Sequence, residues 1–222
     1  KNVIKNYENT YQFVPFSNVQ IDTIVDLVSK KHNSENLLII GSDQEKGLIR
    51  KFKSSLSLNT DLKYNSYTVS EGLPDKVMMK QKLDESENVV LVASNNRAFV
   101  SRVIPILASM EDTLFTVYGL ESWNRMSSLD EIELNLLNVH YPSVFFQDEN
   151  EIFNAFIDNY HYRFKEYPSK YAYAAYKQFL FLIADRFKGF YDFHKIQNQK
   201  GWINTRFPIV FIQDYKQKIV DY

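Results

Sequence analysis

The chain has 222 residues, 45% of them hydrophobic and 24% charged, with a net charge of −1 and no cysteine. That length supports one sizeable core or two small ones. The near-neutral charge supplies no broad basic field for nucleic acid or anionic lipid, and the missing cysteine excludes disulfides, thiolate metal sites and thiol nucleophiles. Tyr 15 and Phe 17 against Gly 6 and Pro 6 argue for a packed chain. No apolar run approaches the roughly 20 residues that span a bilayer. Lys1-Asn2-Val3-Ile4-Lys5-Asn6 is no signal-peptide h-region, so the reading is either a cytosolic protein or one whose leader has been removed.

Two periods alternate along the chain. Ser17 to Gln20 has capping-box spacing, and Ile21, Ile24, Val25 and Val28 then share a helical face. Leu37 to Ile40, stopped by Gly41, is a short apolar run of the kind buried on both faces in parallel sheets. Ser42-Asp43 caps a second predicted helix with Leu48, Ile49, Phe52 and Leu56 inward, followed by a weaker strand at Asn65 to Val69 and a short helix from Pro74 through Leu83. Val89 to Ala93 is the clearest strand. Asn95 or Asn96 caps the next helix, with Phe99, Val100, Val103, Ile104 and Leu107 on one face and a kink expected at Pro105. Leu114 to Tyr118 is strand, a short helix surrounds Trp123, and Leu134 to Tyr141 reads as strand again. The last third holds two long helices, Glu149 to Lys165 and Ser169 to Lys188, with Ile152, Phe153, Phe156, Ile157, Tyr160 and Phe164 along one face of the first. Phe190 to Phe193 is a strand, and Pro208 to Gln213 and Ile219 to Tyr222 pair as a hairpin around a turn at Asp214 to Gln217.

The predicted fold is α/β: a doubly wound, mostly parallel sheet with two long C-terminal helices and a terminal β-hairpin. Leu37–Ile40, Val89–Ala93 and Leu114–Tyr118 are expected as neighbouring parallel strands. Residues 1–147 and 190–222 are expected to form the α/β lobe, and 148–189 a helical pair.

In such sheets ligands gather where strands end and helices begin. Three corners qualify: Gly41-Ser42-Asp43-Gln44, Ser94-Asn95-Asn96 and Gly119-Leu120-Glu121-Ser122. Their Ser, Asp and Asn residues also serve simply as N-caps. His32, His140, His161 and His194 are scattered without metal-ligand spacing, so no metal or cofactor is expected. Gly41 to Gly47 lacks the dinucleotide and P-loop patterns, and no Gly-x-Ser-x-Gly elbow is present. The pairs Asp84/Glu85 and Glu131/Glu133 lie in polar connections. The aromatic stretch Tyr7, Tyr11, Phe13 and Phe16 suits packing. No nucleophile, base and oxyanion site assembles, so a non-enzymatic function is expected.

Phe153, Phe156, Tyr160 and Phe164, followed by Tyr167-Pro168-Ser169-Lys170-Tyr171-Ala172, Ala174 and Tyr176, form a pattern that resembles type 1 periplasmic solute-binding proteins. That family is typified by the branched-chain amino-acid receptors of ABC transporters. The order of the preceding elements and the tail Gly201 to Tyr222 are also similar. The resemblance implies a second lobe plus the helices that return toward a first lobe, which is missing here. It implies a small polar solute as ligand, and Ser42, Gln44, Asn95 and Glu121 as its contacts. Gln44 takes a position where relatives carry a ligand-facing Tyr, and Glu121 resembles their acidic residue for the ligand's ammonium group. The implied setting is the bacterial periplasm or cell envelope, as a solute-binding module or as a degenerate scaffold that binds the missing lobe, a partner protein or a second copy. Some relatives carry LysM modules, none of which is visible in this sequence. An intracellular receiver- or flavodoxin-like regulatory domain is the first alternative, though the first strand is followed by neither an acidic cluster nor a Ser/Thr-Gly loop. An α/β hydrolase or transferase is the second.

Overall fold

In a computed structural model, residues 5–32, 36–59, 61–70, 74–84, 87–110, 113–147, 150–184, 191–195, 200–214 and 216–220 are described. The elements run, in order, β1 (Tyr11–Gln12), α1 (Ser17–Lys31), β2 (Asn36–Ser42), a 3-10 turn (Asp43–Glu45), α2 (Lys46–Asn59), β3 (Tyr64–Val69), α3 (Lys76–Lys80) and β4 (Glu87–Val92). Then follow α4 (Arg97–Ala108), β5 (Leu114–Tyr118), a second 3-10 turn (Glu121–Arg125), α5 (Glu131–Leu136) and β6 (Val139–Pro142). The chain closes with α6 (Glu151–Phe164), α7 (Lys170–Ala184), β7 (Phe193–His194), β8 (Trp202–Asn204), β9 (Ile209–Gln213) and β10 (Lys216–Ile219). These elements divide into two compact units. Residues 16–142 and 209–222 make one; residues 1–15 and 143–208 make the other.

The larger unit is built on a sheet of order β10-β9-β6-β5-β4-β2-β3. β3, β2, β4, β5 and β6 are parallel neighbours, and β9 and β10 close one edge antiparallel. The expected neighbours Leu37–Ile40, Val89–Ala93 and Leu114–Tyr118 therefore pair side by side as β2, β4 and β5. They do so because Leu38, Ile39, Val90, Leu91 and Val117 are buried, leaving neither sheet face for water. α1 and α2 add Ile21, Ile24, Val25, Val28, Phe52 and Leu56 to the same core. Burial of each such side chain contributes about 1.5–3 kcal/mol. From β2 the chain moves outward to β3, then crosses back past β2 to β4 and continues that way to β5 and β6. The switch point thus lies between β2 and β4, the position at which open sheets of this topology place a ligand crevice.

Three local expectations fail in this unit. Gln20 does not complete a capping box: α1 has no side-chain cap, and the Gln20 Oε1 instead accepts the Glu121 N–H at 3.0 Å. Leu134 to Tyr141 is not one strand. Asp130 accepts the Ile132 N–H at 2.7 Å and starts α5 with Leu134 inward; Asn138, at φ 44°, turns the chain into β6. α4 runs on through Pro105. The terminal hairpin forms around Asp214 at φ 53°, but with a tighter turn than expected: Lys216 and Gln217 already pair with Gln213 and Ile212, and the second strand is Lys216–Ile219 where Ile219 to Tyr222 was expected.

In the smaller unit, α6 and α7 are joined at Lys165, which caps α6 in the left-handed conformation. Phe153 packs edge-on to Tyr173 at 4.8 Å and Phe156 stacks on Tyr176 at 4.7 Å, which accounts for the aromatic spacing of this segment. Its short sheet has the order β1-β8-β7, and Phe13 meets Tyr191 and Phe193, each at 5.0 Å. The helical pair expected over 148–189 falls here together with residues 1–15, β7 and β8, segments that were expected in the α/β lobe. Glu85, Phe187, Lys188, Phe190, Asp221 and Tyr222 lie outside the described residues.

Candidate functional site

The carboxyl ends of β2, β4 and β5 bring the three polar corners of the larger unit together. Gly41 makes this approach feasible: a Cβ there would lie 2.7 Å from Ile49 and 3.2 Å from the Ala93 carbonyl. β2 therefore runs against the end of β4, and the turn Asp43–Glu45 is delivered beside Ser94. Ser42 accepts the Gln44 N–H at 3.2 Å and starts that turn. It acts as an N-cap, while the Gln44 side chain is exposed.

Glu45 connects the first two corners. Its Oε2 accepts a hydrogen bond from the Ser94 hydroxyl, and its Oε1 accepts the Asn95 N–H at 3.0 Å. The Ser94 Oγ accepts the Asn96 N–H at 3.0 Å, while Asn96 caps α4 through the Ala98 and Phe99 amides. The Asn95 Oδ1 accepts from the Ser122 hydroxyl at 2.8 Å, linking the second corner to the third. The Trp123 indole N–H donates to the Ser94 carbonyl at 3.3 Å.

Glu121 is placed differently. It is only 2% exposed, and its Oε2 lies 3.2 Å from the Arg125 guanidinium on the same turn. Asn124 donates to the Glu121 and Pro142 carbonyls, each at 2.8 Å, and fixes this turn against β6. The structure thus joins Asn95 to the loops carrying Ser42 and Glu121, leaves the Gln44 side chain in solvent and turns the Glu121 carboxylate inward toward Arg125. Sequence reasoning missed Glu45, Arg125 and Gln20. A Glu just ahead of a helix is ordinarily a favourable partner for the helix dipole, so nothing in the sequence pointed Glu45 across to β4.

The histidines make no metal centre: among the described residues no group of three or more His, Cys, Asp or Glu could hold an ion. His140 stacks on Tyr118 at 4.9 Å and on Phe211 at 5.4 Å. Burial lowers its pKa to about 4, against the raising effect of the Asn138 carbonyl beside Nδ1. In the smaller unit a cavity lined by Ser143, Phe146, Lys177, Tyr191, Asn204 and Phe207 measures ≈ 10 Å³, room for about one water. Lys177 crosses its wall to donate to the Phe146 carbonyl at 2.8 Å. Among the described residues no helix is long and apolar enough to cross a membrane.

No protein-family model matches the sequence, and no curated protein matches it at significant sequence similarity. Solved structures do match in fold. An ABC-transporter substrate-binding protein from Desulfitobacterium hafniense in complex with leucine is 11% identical, with a TM-score of 0.65 over 97% of this chain and 68% of its own. The branched-chain amino-acid binding protein LivJ of Streptococcus pneumoniae, in complex with isoleucine, is 15% identical with a TM-score of 0.54, over 92% of this chain and 65% of its own. The C-domain of LpoA from Haemophilus influenzae, a regulator of PBP1A, is 12% identical with a TM-score of 0.54, over 92% and 67%. The fold is that of the type 1 periplasmic binding proteins, and the chain spans about two thirds of the length of these neighbours.

Proposed function

We propose that this chain is a non-catalytic, solute-binding-protein-like module of the bacterial cell envelope whose cleft has been given over to internal contacts, leaving it to act as a scaffold or partner-binding domain. One observation carries the reading: Glu45, Ser94, Asn95 and Ser122 satisfy one another across the strand ends, and Glu121 is turned to Arg125. A solute entering there must displace bonds already made, and for the buried Ser94 hydroxyl the loss of its partner costs about 1–3 kcal/mol. The likeness to LpoA, a regulator of PBP1A, supports a partner-binding role, and the periplasmic neighbours support the envelope setting.

The partner surface fits α6 and α7. Phe164, Phe179 and Ile183 are 57%, 58% and 63% exposed, and α6 buries none of its residues. Helices of this hydrophobicity pack on an apolar partner. The occupant that fits is the polypeptide that supplies the remaining third of the neighbours' length.

A second reading, binding of a small polar solute, draws support from the leucine and isoleucine complexes of the neighbours. Thermal-shift titration with amino acids and other small polar solutes separates the two. The scaffold reading expects no saturable change in melting temperature; a rise that saturates at micromolar solute sinks it.

A further inference from the structure

The switch point between β2 and β4, where sheets of this topology open a ligand crevice, already holds a carboxylate. It belongs to Glu45, which arrives on the turn after β2 and engages two donors from the loop after β4, 49 and 50 residues away in sequence. Ser94 is fully buried. Its hydroxyl accepts the Asn96 N–H and so directs its single proton at Glu45. The Asn95 N–H takes the other oxygen of the same group. Two donors on two oxygens of one half-buried carboxylate form an acid-recognition geometry, and it lies where this sheet topology opens its ligand crevice.

We infer that Glu45 is an internal ligand: a tethered carboxylate that closes a binding site for small free carboxylates, which enter only when Glu45 withdraws. The tether gives Glu45 an effective concentration on the order of millimolar or more, so a dilute free acid does not compete in the native chain. The inference rests on reading these loops as the solute-facing end of the lobe.

Chemical rescue tests it. Glu45→Ala removes one methylene and the carboxylate, the groups that acetate returns. In Glu45→Ala, acetate raises the melting temperature on a saturable curve and shifts the Asn95 amide resonance, relative to chloride at matched ionic strength; the native chain does neither. Adding Ser94→Ala weakens acetate binding by about tenfold or more, the loss expected for a hydrogen bond to a charged group. If Glu45→Ala does not fold in chloride, recovery of folded protein in acetate supports the internal ligand, and failure in both salts overturns it. Absence of a saturable acetate response in folded Glu45→Ala, or an equal response in the native chain, also overturns it. Those failures remove the internal ligand alone, whereas solute binding to the native chain removes the scaffold reading.

Discussion

Gly119 couples two of the strand ends through a single missing side chain. A Cβ at this position would lie 2.4–2.6 Å from the Trp123 ring, which is buried and donates to the Ser94 carbonyl. The indole is buried and lies within contact distance of that Cβ, so Gly119→Ala must displace the ring and break that bond. The expected cost is about 1–3 kcal/mol, with a red shift of Trp123 emission in a Trp202→Phe background. Unchanged emission and stability contradict the packing described. His140 gives a pH signature. Burial holds its pKa near 4 against the ordinary value of 6.5, with Lys31 and His32 opposing its charge as well. The neutral ring is the folded form, so its contribution is fully present above pH 6.5 and is lost as pH falls through 4. The loss amounts to roughly 3 kcal/mol. Denaturant unfolding between about pH 7 and 4 measures it, and His140→Gln should flatten the slope in that window.

At the scale of elements, legibility followed how local the deciding force was. β2, β4 and β5 could be read because a strand buried on both faces must be apolar at successive positions, as Leu37 to Ile40 and Val89 to Val92 are. α5 could not: Leu134, Leu136, Leu137, Val139 and Tyr141 suit either period, and the choice lay with the Asp130 cap and the left-handed Asn138. Gln20 was misread because its amide has two uses, and a partner 101 residues away won. The corners at Ser42 and Asn95 were found by the strand-end rule, whereas Glu45 depended on a turn geometry that only folding reveals. α6 and α7 make their own prediction. With Phe164, Phe179 and Ile183 bare, the 222-residue chain should self-associate reversibly in sedimentation equilibrium, and Phe164→Ser with Phe179→Ser should reduce that association. A monomer at high micromolar concentration contradicts an apolar partner surface there.

At the scale of the whole molecule, a periplasmic-binding-protein fold keeps its strand ends together at the switch point while the polar groups around them are bonded to one another. The fold shows where a solute would go; the side chains decide whether it does. On the scaffold reading proposed above, the α/β lobe and the exposed aromatics of α6 and α7 would serve recognition of another polypeptide. The strand ends at the switch point are bonded to one another through Glu45, and the Asn95 amide reports on that contact. This residue lies in an exposed loop, where an unbonded N–H exchanges at the rate of unfolded peptide. Hydrogen exchange followed by NMR, with no solute added, should find the Asn95 amide protected in the native chain and unprotected in Glu45→Ala, with Val100 protected in both. Free exchange of the Asn95 amide in the native chain would contradict the account.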